Sequence, residues 1–292
     1  MRKTIDLERV PTLGSLYAKA LGDRVKELLP GAKTSLLVLP EVSHRVAALR
    51  PDRDQLVAYQ RLMGDTVREE LPSVFVHGLV FPVAMSVLVR DDFPLPLLGM
   101  VHLANSVEHF RPISPSSELE VIAYATDLRE HRSGTQLDMV AEVRQADELI
   151  WRGVSTYLAR GVWLGSKPER VAVSHDEFVP PRRSASWSLA ADTGRAYAAV
   201  MGDYNPIHLS ALSAKALGMK RAIAHGMYLA GRTLASSAPH EGGYTWSIDF
   251  ATPVFLPSRV DVSFIESVDS TRFCGWNAKS GKPHFSGTIQ RL

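Results

Sequence analysis

Ala58-Tyr59 followed by Met63-Gly64-Asp65 returns 138 residues later as Ala196-Tyr197 followed by Met201-Gly202-Asp203. His77-Gly78 returns as His225-Gly226 at an offset of 148. Pro112 with Leu119-Glu120-Val121 returns as Pro253 with Val260-Asp261-Val262 at an offset of 141. Several matches in one order point to an internal duplication, which restricts the chain to two related halves. The offset widens by about ten residues between Gly-Asp and His-Gly, where the second half carries Asn205-Pro206-Ile207-His208. The first half lacks that segment. Residues 1–160 then form one domain, and 161–183, with Gly165, Pro168 and Pro180-Pro181, form a linker. Residues 184–292 form the second domain.

The element pattern agrees with two copies. In the first half, helical spacing covers Thr12 to Leu29, ended by Pro30-Gly31, and strand signals follow at Ser35 to Leu39 and Val42 to Ala48. Pro51-Asp52 opens a helix to Met63 with Leu56, Tyr59 and Met63 on one face, and Val74 to Val89 is apolar enough for a buried helix. Strands are expected at Met100 to Val107, Glu118 to Thr126, Thr135 to Arg144 and Leu149 to Ala159, with a hairpin turn at Asp147-Glu148. Strands this close in sequence favour antiparallel pairing. The second half repeats the order. It has a strand at Ala185 to Leu189, a helix capped by Asp192 and running to Met201, and a helix from Gly226 to Ser236. Strands are then expected at Tyr244 to Thr252, Arg259 to Ser267, Arg272 to Ala278 and His284 to Gln290. The class is α+β.

Composition removes several kinds of function. A formal charge of +2 over 292 residues is too small for a dedicated nucleic-acid binder. The single cysteine, Cys274, excludes an internal disulfide framework and a cysteine-based zinc site, and reads as a small buried hydrophobe. The histidines show no metal-type spacing, so no metal is expected, and no glycine-rich nucleotide loop follows a strand. Val74 to Val89 is interrupted by His77, Gly78 and Pro82 and falls short of the ~20 apolar residues of a membrane span. Met1 to Val10 has no uninterrupted apolar core of the signal-peptide kind, so the cytoplasm is the expected location.

The segment unique to the second half carries the chemistry. Asn205 suits an N-cap and Pro206 the first helical position, which reads as a helix from Pro206 to Leu217 closed by Gly218. His208 falls in its first turn, where the positive end of the helix dipole favours a neutral imidazole, and Asp203 lies just ahead of the cap. Gly226 would open a helix whose free amides can face an oxygen gaining negative charge. A bare Asp-x-Asn-Pro is more often a plain turn, but the added His208 and His225-Gly226 favour a site. A carboxylate, a neutral imidazole and an oxyanion donor are the parts needed to add water across a double bond conjugated to a thioester.

Tyr197 to His208, with Ala214 six residues on, resembles the signature of the MaoC-like (R)-specific enoyl-CoA hydratases, also called hydratase 2. The resemblance covers Ser184 to Leu292 closely and the first half loosely. It implies a double hot-dog fold, two antiparallel sheets each wrapped around a long central helix, here Val74 to Val89 and Gly226 to Ser236. It further implies a degenerate first half whose missing segment leaves room for a longer acyl chain. By position, Asp203 and His208 would hold and activate water, Asn205 would support them, and the Gly226 N–H would bind the thioester oxygen. No redox cofactor is implied, only coenzyme A or acyl carrier protein as the carrier of the substrate. Met201 departs from the signature, which prefers a small residue there.

The remaining candidates carry less. His225 reads as a packing or helix-start residue rather than a second base, and His77 as structural for the same reason. Asp65, with no histidine after it, reads as a solvated or capping carboxylate. Lys215, Lys220 and Arg221 form a basic group that either meets coenzyme A phosphates or is simply solvated. Two rival functions stand beside the hydratase: a hot-dog thioesterase, and a non-catalytic acyl-thioester-binding protein. The internal pair already completes one hot-dog unit, so a homodimer is left open.

Overall fold

The computed structural model describes residues 2–27, 37–167, 177–239 and 242–292. The first half forms β1 (Lys3–Asp6), α1 (Leu13–Glu27), β2 (Val42–Leu49), α2 (Arg53–Met63) and α3 (Ser73–Leu88). It continues with β3 (Met100–His109), β4 (Leu119–His131), β5 (Gly134–Gln145) and β6 (Glu148–Arg160). The second half begins with β7 (Ala185–Leu189), α4 (Thr193–Met201), a 3-10 turn (Pro206–His208), α5 (Ala211–Ala216) and α6 (Gly226–Ser237). It ends with β8 (Tyr244–Phe250), β9 (Ser258–Glu266), β10 (Ser270–Asn277) and β11 (Pro283–Arg291). The chain is α+β. Its residues gather into two compact units, 1–51 with 77–103 and 116–172, and 52–76 with 104–115 and 173–292.

In the first unit the strands run in the order β1-β2-β4-β5-β6. All neighbours are antiparallel except β1, which pairs parallel to β2 with Lys3 opposite Val42. The sequence reading did not include β1. Alternate residues Leu119, Val121, Ala123 and Ala125 of β4 are buried, as a sheet with one covered face requires. From His77 onward α3 belongs to this unit, and it buries Val80, Val83, Met85, Val87 and Leu88. A helix apolar all round is one enclosed on all sides, where each such side chain is worth ~1.5–3 kcal/mol. Pro82 removes one ladder bond from it, a loss that this burial outweighs. The β5–β6 hairpin turns at Ala146-Asp147, one residue earlier than Asp147-Glu148, and Gln145 faces Glu148. Both turn residues have positive φ (48° and 67°), as a two-residue primed turn demands.

The second unit has the order β3-β8-β11-β10-β9-β7, antiparallel throughout. Its core joins Met227, Leu229, Ala230 and Leu234 of α6 to Trp246, Ile248, Val260, Val262, Phe273, Phe285 and Ile289 of the strands. Helix α2 packs on α4 and α6 within this unit. It approaches α6 closely at Gly231, where a Cβ would lie 2.6 Å from Met63 Sδ and from Tyr59 Oη. The duplicated helices end alike: α2 at Gly64 (φ 71°) and α4 at Gly202 (φ 76°), both in the left-handed conformation that a side chain resists.

Several expectations need correction. Residues 37–39 are not a strand, and the rest of that proposed segment lies outside the described residues, as do Pro30-Gly31 and the last part of the Thr12 to Leu29 helix. A tight turn in which Val42 N–H donates to Pro40 C=O (2.8 Å) sets the start of β2 instead. Asp192 occupies the N-cap of α4 but makes no side-chain capping bond. Asp65 is not solvated: its carboxylate is nearly buried (5% exposed) and pairs with Arg68 at 2.8 Å. In the linker range, 161–167 and 177–183 contain no helix or strand. No helix among the described residues is long and apolar enough to cross a membrane.

Candidate active site

The site is built from the end of α4 forward. Gly202 turns the chain out of the helix, and Asp203 follows at once, its Oδ1 accepting the Asn205 N–H at 3.3 Å. Asn205 Oδ1 accepts from Ile207 N–H at 3.4 Å, and Pro206 opens the 3-10 turn that delivers His208. The continuous helix from Pro206 to Leu217 does not form. Ser210 is extended (φ −153°, ψ 160°) and starts α5 afresh by accepting the Ser213 N–H at 3.1 Å. Gly218 does close that helix in the left-handed region (φ 82°).

A single turn of 3-10 helix supplies little dipole, so the neutral state of His208 has another cause. The ring is buried, and burial holds its pKa below the usual imidazole value while the Asp203 charge pulls it part of the way back. Its Nδ1–H donates to the Ile223 carbonyl at 2.8 Å, which fixes the tautomer and leaves Nε2 as the nitrogen with the lone pair. Ile223 is held in turn by its own N–H, which donates to Ile207 C=O at 3.1 Å.

His225 completes the arrangement. Its ring stacks on that of His208 with centroids 3.6 Å apart, and its Nε2–H donates to the Asp203 carbonyl at 3.0 Å. The same nitrogen lies 3.7 Å from Asp203 Oδ2, and Tyr197 packs on the other side at 4.7 Å. Burial, with His208 adding to it, drives the His225 pKa far below its ordinary value. Burial lowers the pKa of both stacked rings, which favours the neutral form of each. His225 thus bonds to Asp203 and stacks on His208, tying the two together. Gly226 follows it as the first residue of α6, whose leading amides have no acceptor within the helix. A Cβ on Gly226 would lie 2.8 Å from the Phe250 ring, so this helix start also needs glycine to seat itself.

Donor atoms of Asp203, His208 and His225 all lie within 4.8 Å of one another. Of these, His225 Nε2 is already given to the Asp203 carbonyl. Lys215, Lys220 and Arg221 are all exposed, on α5 and the bend after it, and the Arg221 guanidinium sits 5.8 Å from the Phe255 ring centre. Met201 is buried at the end of α4. In the first unit His77 lies inside α3, stacked with Phe81 at 5.8 Å, and burial lowers its pKa to about 3. Sequence reasoning missed Ile223, because a backbone acceptor leaves no mark in the residue type.

Residues 176–280 match the family model described as MaoC like domain. The chain is 31% identical over 276 residues to 3-hydroxyacyl-thioester dehydratase X of Mycobacterium tuberculosis, covering 92% of this chain and 98% of that protein. The crystal structure of HtdX from the same organism superposes with a TM-score of 0.76 at 30% identity, over 86% of this chain and 100% of that one. A MaoC-like dehydratase from Phytophthora capsici shares the fold, with a TM-score of 0.64 at 19% identity over 88% of this chain and 97% of that one.

Proposed function

The chain belongs to the MaoC-like dehydratase family, and from that premise we propose that it interconverts trans-2-enoyl and (3R)-3-hydroxyacyl thioesters by addition and loss of water. It is a hydro-lyase of acyl-thioester metabolism. The observation that carries the assignment to this site is the meeting of Asp203, His208 and His225, the N-cap of α6, at one place. In hydration, a water held between the Asp203 carboxylate and His208 Nε2 attacks the β-carbon. The pair takes one proton from that water and returns one to the α-carbon. The negative charge that develops on the thioester oxygen meets the Gly226 N–H. Asn205 holds the loop between the two side chains. The reaction so written needs no metal or redox group, only the carrier, coenzyme A or acyl carrier protein. Lys215, Lys220 and Arg221, all exposed, are the basic group proposed to meet carrier phosphates.

The halves read as a double hot dog, with 1–160 degenerate and 184–292 catalytic. In the first half Gly78 is the sixth residue of α3, so its amide is spent inside the helix, and Glu70 stands five residues after Asp65, where His208 stands after Asp203. That half therefore lacks the counterparts of the Gly226 amide and of His208.

The test is to mix the purified protein with an enoyl-CoA, crotonyl and longer. Enone absorbance should fall without release of free thiol, giving the (3R) product. Free thiol would instead mean a thioesterase, and binding without turnover an acyl-thioester carrier or sensor.

A further inference from the structure

We infer that the first turn of α4 is the device that positions His208, with Gly194 as its closest contact. An ideal Cβ on Gly194 would lie 2.1 Å from the His208 carbonyl oxygen, 3.0 Å from its carbonyl carbon and 3.4 Å from its Cβ. All three nearest atoms belong to His208, and the nearest two are backbone, which cannot rotate aside. The next residue, Arg195, donates from Nη1 to the Leu209 carbonyl at 3.1 Å. One helix therefore meets the histidine backbone with its first turn and releases Asp203 just past its last residue. The separation of the two reactive groups is set by a rigid element rather than by the loop that joins them.

The duplication supplies an independent observation. At the offset of 138 that relates α2 to α4, the position of Gly194 is filled by Leu56, which is buried at 2% exposure. Leucine stands in the half with no histidine-bearing segment, and glycine stands where that segment must come close. Glycine is a poorer helix former than alanine, so its presence here runs against local propensity.

The inference rests on His208 being one of the proposed acid–base pair, and its experiment separates the two ideas. Gly194→Ala is compared with Gly14→Ala, a glycine at the same second position of α1 with nothing within 4 Å of its Cβ. Two readouts are taken, kcat and KM for crotonyl-CoA hydration, and the Nδ1 proton resonance of His208 in histidine-labelled protein. Gly194→Ala should lower kcat by about 10- to 100-fold with KM nearly unchanged and should shift or broaden that resonance. Gly14→Ala should change neither. Wild-type kcat with an unmoved resonance in Gly194→Ala overturns the inference. A wild-type protein without hydratase activity overturns the functional reading alone, because the resonance still reports where His208 sits. If Gly194→Ala does not fold, Arg195→Ala tests the same turn without adding an atom: a severalfold fall in kcat at constant KM supports the inference, and an unchanged kcat with an unmoved resonance overturns it.

Discussion

At the residue scale the proposed chemistry depends on one neutral imidazole beside one carboxylate. His208→Gln removes the lone pair, and Asp203→Asn keeps the shape while removing the charge. Each should lower kcat by 10²-fold or more, as for positioned acid–base groups, with the folded state retained by circular dichroism. Near-normal rates in either variant would sink the site assignment. The direction of the His208 shift gives a second expectation. Its pKa is lowered, so the neutral form persists below the ordinary value of about 6.5, and the acid limb of kcat/KM should fall with an apparent pKa under that value. A limb centred above it would mean that the reacting base lies elsewhere. His225, read from the sequence as a packing or helix-start residue, stacks on His208 and bonds to Asp203, the groups of the proposed reaction.

At the element scale, the segment from Asp203 to Gly218 is a chain of short capped pieces rather than one helix. Asn205 and Ser210 each accept an amide that would otherwise be unpaired, and Ser213 Oγ donates back to Pro206 C=O at 2.7 Å. Ser210→Ala should therefore cost about 1 kcal/mol, or roughly 2 °C in Tm, measured by thermal unfolding. An unchanged Tm would show that α5 is held by its packing and not by its cap. The break arises because Ser210 bonds ahead to Ser213 from an extended backbone, an alternative that serine offers and alanine does not.

At the scale of the whole molecule, buried histidines make the fold sensitive to acid. His109 is fully buried and stacked on Tyr244 at 5.0 Å, and burial lowers its pKa to about 4, with His77 lowered to about 3. The unfolded chain takes up these protons near pH 6.5, whereas the folded chain refuses them until far lower. Their stabilising effect is therefore complete above pH 6.5 and is lost as pH falls, for His109 down to about 4. Each group steepens the decline by up to ~1.4 kcal/mol per pH unit. Urea midpoints at pH 7.5, 6 and 5 should fall steadily, and His109→Phe should flatten the decline by about one proton. Carrier recognition is also a property of the whole surface: replacing Lys215, Lys220 and Arg221 together by alanine should raise KM for a CoA thioester severalfold and leave kcat in place. An unchanged KM would mean that the three are merely solvated.

Periodicity, caps and the repeated segments are local, and they determined most of what could be written from the residues alone: the α+β class, the order of elements, the two halves, and the coincidence of Asp203, His208 and Gly226. Where bonds of similar strength competed, the residues pointed the wrong way, as at Ser210, where one continuous helix is expected and the chain starts a new one. What only the tertiary structure decided lies between segments far apart in sequence. The Ile223 carbonyl fixes which nitrogen of His208 is free, His225 stacks on that ring, and Gly194 is a glycine because another backbone passes within contact of it. A carbonyl acceptor and a missing Cβ are not side-chain signals, so no residue type announces them. The repeat held one clue, Leu56 opposite Gly194, whose meaning depended on knowing what lay against the glycine.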